Sequence, residues 1–323
     1  MCTAVSFLTH DHYFGRNLDL EYHFNETVTI TPRRFPLLFR KGNELSNHYA
    51  IIGMATVADR YPLYYDATNE HGLSMAGLNF PGNAAYYSAC DTKDNIAPFE
   101  LIPWILAQCQ SVDEALQLFE KINITHIPFN TAFPLTPLHW IIADKKRCIT
   151  IEPLLSGLKL YENPVGILTN NPPFDYHMHN LANYLNLTHD LPYNRFSVKI
   201  DLAPYSNGMG AIGLPGDLSS ASRFVKAAFT KLNSICETNE LSSITQFFHI
   251  LGSVTQQSGC CLTENGYEKT IYSSCCNTDR GIYYYRTYDN SQINAVNMRN
   301  TDIDGDKLQS YELITDQRIN LCN

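Results

Sequence analysis

The sequence predicts an α+β fold in which sheets are covered by helices. Three observations carry this. Strand-like runs open and close the chain and return in its middle, with helical blocks between them. No linker and no internal repeat divides the 323 residues, so 1–323 reads as a single domain. The composition, 44% hydrophobic and 17% charged, is that of a chain able to bury a large core.

The first eighty residues are strand-rich. "CTAVSFL" and "HYFGRNL" flank a polar turn at His10-Asp11. "ETVTITP", "HYAIIGMAT", "PLYYDAT" and "LSMAGLN" follow, β-branched and aromatic with turn residues between them. "PFELIPWILAQC" then repeats its apolar residues on a helical period, and "SVDEALQLFEKI" opens with Ser111 and Glu114, a capping box. Strands return in "LHWIIAD", "CITIEP", "GLKLYE" and "VGILTNN". Helices are expected over "FDYHMHNLANYLNL", "SSASRFVKAAFTKLNSI" and "LSSITQFFHILGSV". The tail is strand-rich again: "KTIYSSCCN", "GIYYYRTYD", "INAVNM" and "LQSYELI".

A formal net charge of −9 argues against a nucleic-acid partner. No run approaches the length of a membrane span, and the start lacks a basic region followed by a long apolar one. A cytoplasmic protein is therefore expected, and the sequons at Asn25, Asn123 and Asn186 are read as chance. Ten cysteines contain no CxxC pair, so neither a structural metal nor a disulfide framework is expected. Most of them should be small buried hydrophobes.

Cys2 stands directly behind the initiator methionine. Removal of Met1 would leave a thiol and a free α-amine on one residue, and the amine's reference pKa of about 7.7–8.0 suits a general base. If the first two strands are joined by a two-residue turn at His10-Asp11, Cys2 falls opposite Asp19, whose carboxylate would orient the amine. Arg16 then has the opposite parity. A bend or bulge between Gly15 and Asp19 would be needed to bring both to Cys2.

Longer motifs extend this reading. "MCTA", "YFGRNLD", "NEHGLSMAGLNFPG", "TPLHW", "GILTNNPPFDYH", "GLPGDLSSASRF", "TIYSSCCN" and "GIYYYRTYDNSQINAV" run nearly end to end. In them the chain resembles the choloylglycine hydrolase family of N-terminal nucleophile hydrolases. The resemblance implies a four-layered αββα sandwich in a homotetramer and hydrolysis of the amide bond of conjugated bile salts, with no cofactor and no metal. It puts the nucleophile on Cys2, with Arg16, Asp19, Asn79, Asn170 and Arg223 as the other catalytic positions. Asn79, in "GLNFP", belongs to the oxyanion site. Amide donors there would be worth roughly 3–4 kcal/mol apiece to a tetrahedral oxyanion, and an arginine beside the thiol would favour thiolate.

The resemblance further implies that loops near the nucleophile line the substrate site; these are apolar here, at Leu18, Ala58, Tyr65, and Phe129 through Leu138, including Phe133 and Leu135. A penicillin V acylase of the same family is the alternative. Asn79 speaks against it, since the family's penicillin acylases often carry an aromatic there, while Tyr65 speaks for it.

Other signals are weaker. "NTDIDGDKLQSYE" places Tyr311 where a calcium loop needs a bidentate Glu, so an Asp-Gly hairpin turn is expected instead. His139 and His249 lie in apolar stretches and read as core residues. His177 and His179 diverge on a helix and announce no third metal ligand.

Overall fold

The structure is a computed structural model that describes residues 1–42 and 44–323. Fourteen strands build two antiparallel sheets. The first holds β1 (Cys2–Leu8), β2 (His12–Leu20), β10 (Ile167–Leu168), β11 (Lys269–Asn277), β12 (Ile282–Thr287) and β13 (Asn294–Asn297), in the order β10-β1-β2-β11-β12-β13. The second holds β3 (Thr27–Thr31), β4 (Ile51–Ala58), β5 (Tyr61–Asn69), β6 (Ser74–Asn79), β7 (Leu138–Ala143), β8 (Cys148–Leu154), β9 (Gly157–Glu162) and β14 (Gln309–Glu312). Their order is β9-β8-β7-β6-β5-β4-β3-β14.

Alternation along the strands decides what packs where. Ile52, Met54, Ala76, Leu78 and Ile141 of the second sheet share a core with Ala4, Phe14 and Leu18 of the first. Ile51, Met75, Trp140 and Ile142 point the other way, into a core with α1 (Leu101–Leu106) and α2 (Val112–Phe119). The outer face of the first sheet is covered by α4 (Ser220–Leu232) and α5 (Glu240–Gly252), with Phe7 against Phe247 at 6.4 Å between ring centroids. The layers are αββα, as expected. Each fully buried aliphatic or aromatic side chain contributes roughly 1.5–3 kcal/mol. Among the described residues no helix is long and apolar enough to cross a membrane.

Several expectations need correction. The first hairpin turns over three residues, Thr9 to Asp11, so Leu8 faces His12 and Cys2 faces Leu18, not Asp19. Asp11 is drawn into the turn because its carboxylate accepts from Asn277 Nδ2 (3.0 Å) and faces Arg280 (3.3 Å). No bulge interrupts β2 against β1. The irregularity lies across from it in β11, where Ile271 is extra between Thr270, opposite Asp19, and Tyr272, opposite Leu18. A second bulge falls in β5, where Tyr65 is extra between Tyr64, opposite Ala55, and Asp66, opposite Met54.

The helix expected from Phe174 ends sooner, as α3 (Phe174–Asn180), and tightens into a 3-10 turn over Leu181–Tyr184. Ser111 accepts from Glu114 N, but the Glu114 carboxylate reaches back to Gln110 N, one residue before the cap. Asp304-Gly305 closes no hairpin: β13 pairs in the first sheet and β14 in the second, so this turn carries the chain from one to the other. His249 is exposed on α5, whereas His139 is buried. All ten thiols are free, but only Cys2, Cys109, Cys275 and Cys276 are buried.

Candidate active site

β1 begins with Cys2, 3% exposed. In an antiparallel pair, residues directly opposite share a face. The register Cys2↔Leu18 and Ala4↔Arg16 therefore puts Arg16 on the same side as the thiol, between the sheets. The one-residue correction brings Arg16 to the face of Cys2 without a bend in β2 and leaves Asp19 on the other face. Close approach of β2 to β11 is secured at Gly15, where a Cβ would run into the Ser274 carbonyl. Arg16 is fully buried. Its Nη1 donates to the carbonyls of Tyr65 (3.0 Å) and Gly77 (2.5 Å), and Nη2 has no partner. Burial alone would weaken its hold on the proton. The charges of Cys2, Tyr272, Asp66 and Asp19 outweigh that and raise its pKa above the ordinary value.

Asn170 lies just beyond β10. Its backbone is fixed on both sides, with N donating to Ser220 Oγ (2.8 Å) and O accepting from His177 Nε2 (3.0 Å). Burial lowers His177 to about 4, so it is neutral at neutral pH and donates one N–H to that carbonyl. The Asn170 side chain is thereby aimed: Nδ2 donates to the Asn79 carbonyl (2.7 Å), and Oδ1 accepts from Cys2 N (2.8 Å) and from Arg223 Nη2 (2.8 Å).

Arg223 occupies the first turn of α4, which Ser219 caps by accepting from Ser222 N. Its guanidinium also donates to the Cys2 carbonyl, to Thr3 Oγ1 (2.6 Å) and to the Leu218 carbonyl (3.0 Å). This arginine is 1% exposed and binds both Cys2 and Asn170. Removing it would leave the buried acceptors on Cys2 and Asn170 short of a donor, at a cost of about 1–3 kcal/mol each.

Asp19 sits one residue beyond the partner of Cys2, on the opposite face. It pairs with Met1 through the backbone: Asp19 N donates to Met1 O (2.9 Å) and the Met1 ammonium to Asp19 O (2.7 Å). That ammonium also forms an ion pair with Glu268, itself 3% exposed. The Asp19 carboxylate accepts from Thr270 Oγ1 (2.6 Å) through Oδ1, while Oδ2 has no partner. Burial pushes its pKa up, opposed by Arg223, the chain's ammonium, Thr270 and Arg16. The structure thus brings Cys2, Arg16, Asp19, Asn170 and Arg223 together. Asn79 joins through its carbonyl, with its side chain exposed at the end of β6.

Beside this cluster lies a cavity of about 160 Å³. Tyr65, Phe129, Phe133, Leu135 and Leu138 all line it. Gly77 lines it too, and its carbonyl holds Arg16, so cavity and cluster share a wall. Leu18 and Ala58 are not in the lining: Leu18 is buried opposite Cys2, and Ala58 ends β4. The bulge in β5 is what turns Tyr64 and Tyr65 together toward the cavity. The Tyr65 ring is then fixed by a hydrogen bond with Thr56 Oγ1 (2.8 Å).

Sequence reasoning missed two buried carboxylates beside this cluster. One is Glu268, against the Met1 ammonium. The other is Asp66 in β5, 1% exposed between the sheets. A lone carboxylate in the aromatic strand "PLYYDAT" was the available signal for the latter.

The model of the family described as linear amide C–N hydrolases, choloylglycine hydrolase family, matches residues 2–311. A bile salt hydrolase/transferase of Lactiplantibacillus plantarum is 57% identical over 314 residues, 97% of each chain. A crystal structure of a variant conjugated bile acid hydrolase from Clostridium perfringens superposes with a TM-score of 0.93 at 37% identity, covering 100% of both chains. A penicillin V acylase from Agrobacterium tumefaciens shares the fold, with a TM-score of 0.75 at 16% identity over 97% of this chain and 92% of that one.

Proposed function

We propose that this chain, which belongs to the choloylglycine hydrolase family of linear amide C–N hydrolases, cleaves the amide bond of glycine- and taurine-conjugated bile salts. One observation carries the reading: Cys2 has its nitrogen on Asn170 Oδ1, its side chain on the face of Arg16, and an apolar cavity beyond the Gly77 wall. In the mature enzyme the Cys2 thiolate adds to the amide carbonyl, and the resulting oxyanion is stabilised by donors that include the Asn79 side chain. The α-ammonium gives a proton to the leaving amino acid as the C–N bond breaks. A thioester remains on Cys2. Water, losing a proton to the α-amine, then attacks the thioester and releases the free bile acid and the thiol. Asp19, Asn170 and Arg223 hold the amine and the Cys2 backbone in place.

Specificity is read from the cavity. Its walls are apolar and aromatic, which suits a rigid steroid. At about 160 Å³ it is smaller than the roughly 300–1,000 Å³ typical of ligand sites, so the segment from Phe129 to Leu138 has to move outward as the steroid enters. Tyr65 is the residue that would favour a phenoxyacetyl group instead. A panel of glyco- and tauro-conjugates and penicillin V in one buffer, with released amino acid quantified, tests the reading. Expected is a kcat/KM for the bile salts well above that for penicillin V. A preference for penicillin V overturns it and points to Tyr65.

We also propose assembly into the homotetramer that the family resemblance implies. In support, residues 185–205 leave Leu185, Tyr193, Phe196, Val198 and Tyr205 out in solvent, with Phe196 84% and Tyr205 83% exposed. So much apolar surface on one segment supports a contact between chains. Light scattering should give the mass of four chains, and a monomeric mass for fully active enzyme would refute the assembly.

A further inference from the structure

We propose that Asp66 is a positioning residue for this reaction: its carboxylate is the counter-charge that fixes Arg16 beneath the nucleophile. The proposal rests on the hydrolytic role of Cys2 and Arg16 given above. Arg16 carries a full charge at 0% exposure, and among the described residues its guanidinium donates only to the carbonyls of Asn17, Tyr65 and Gly77 and to no carboxylate. A buried charge without compensation costs several kcal/mol, so an anion has to lie close by. Asp66 supplies it from the facing sheet. Its backbone neighbour Tyr65 is the bulged residue whose carbonyl, freed from the ladder, accepts from Arg16 Nη1. The bulge that opens the substrate cavity therefore also delivers Asp66 and the Tyr65 carbonyl to the same guanidinium.

The surroundings of Asp66 are built of hydrogen-bond donors. Three hydroxyls converge on it: Tyr272 Oη on Oδ1 (2.7 Å), Tyr283 Oη on Oδ2 (2.7 Å) and Ser274 Oγ on Oδ2 (3.0 Å). Both oxygens are satisfied by donors that need no proton from the acid. Ser274 Oγ in turn accepts from Arg16 N (3.0 Å), so one hydroxyl ties the backbone of Arg16 to the carboxylate. The titratable or charged groups that face Asp66 are Arg16 from β2, Tyr272 and Cys276 from β11, and Tyr283 from β12. Burial raises the carboxyl above its ordinary value, opposed by Arg16 and the three hydroxyls.

The consequence for chemistry is electrostatic. Arg16 is shared between Cys2 and Asp66, both of which favour its charged form. Neutralising Asp66 releases that share to the thiolate and at the same time loosens the guanidinium. Removing a negative charge near a thiol favours its anion, so the acid limb of activity moves to lower pH even as the rate falls.

Asp66→Asn tests this, with Tyr283→Phe as a milder variant should Asp66→Asn fail to fold. Two readouts are taken against pH: kcat/KM on a tauro-conjugated bile salt, and the rate at which iodoacetamide alkylates Cys2, located by peptide mass. Expected for Asp66→Asn is a kcat lowered by about 10–100-fold with KM little changed, and both pH curves displaced to lower pH. Tyr283→Phe should move both curves in the same direction by less. A lowered kcat with neither curve displaced makes Asp66 merely structural and overturns the proposal, as does an unchanged kcat. Should the wild type fail to turn over bile salts while the alkylation curve still moves in Asp66→Asn, the role of Asp66 stands and the substrate reading falls.

Discussion

Cys2→Ala is expected to abolish turnover, with a loss on the order of 10⁴–10⁶-fold in kcat by analogy with removal of a nucleophile in other hydrolases. The thiol is the nucleophile that forms the acyl intermediate, and without it the site can bind and polarise an amide but cannot add to it. The fold should survive. Everything that Cys2 contributes to the hydrogen-bond network goes through its backbone, from N to Asn170 Oδ1 and from Arg223 to its carbonyl. An alanine preserves both. The deleted sulfur leaves only a small void, for a cost of about 1 kcal/mol and a fall of a few degrees in Tm. Cys2→Ser keeps the shape but supplies a weaker nucleophile, and severe impairment is expected. Alkylation adds a discriminating test. Cys260 and Cys322 are exposed whereas Cys2 is 3% exposed, so access alone would label those two first. Activity should nevertheless fall in step with the labelling of Cys2. If it falls with another cysteine instead, the assignment is wrong.

How much of this was legible in the sequence depended on whether the cause was local. Strands such as "CTAVSFL" and "LHWIIAD" could be read because β-branched and apolar residues recur, and both lie where expected. Register could not. A loop of three residues rather than two shifts every pair by one and exchanges the faces of the strand. That single slip is why Asp19, rather than Leu18, was placed opposite Cys2. The cause is non-local: Asn277 and Arg280, more than 260 residues away in sequence, hold Asp11 in the turn. The bulge at Tyr65 was equally invisible, because an extra residue in β5 has no signature until the partner strand is known. The cavity residues from Phe129 to Leu138 came from family resemblance, and five of the seven proposed lining positions meet in one place. His249 was misjudged for a simpler reason. Its immediate neighbours Phe247, Phe248, Ile250 and Leu251 are apolar, but the residue falls on the solvent side.

Active enzyme should lack Met1, and protein that retains it on every molecule should be nearly inactive. The argument turns on one nitrogen. While Met1 is present, Cys2 N is an amide whose lone pair is delocalised into the carbonyl, and it can take no proton from the thiol, the leaving group or water. Once Met1 is gone the same atom is an amine with a reference pKa of about 7.7–8.0, near the working pH of a general base. The site is already built for that exchange. Asn170 Oδ1 sits 2.8 Å from Cys2 N and is itself held by Arg223, so the freed amine inherits an aimed acceptor. The Glu268 carboxylate, which now pairs with the Met1 ammonium, and the Asp19 carboxylate, which feels the same charge, supply the negative field for its successor. Loss of the general base and acid should lower turnover by about 10²–10⁴-fold. The measurement is intact mass alongside activity, for protein made with and without inhibition of methionine removal. Treating the Met1-bearing form with an aminopeptidase should restore turnover as the mass falls by one methionine. Full activity with Met1 on every chain would rule out the free-amine mechanism while leaving Cys2 as nucleophile.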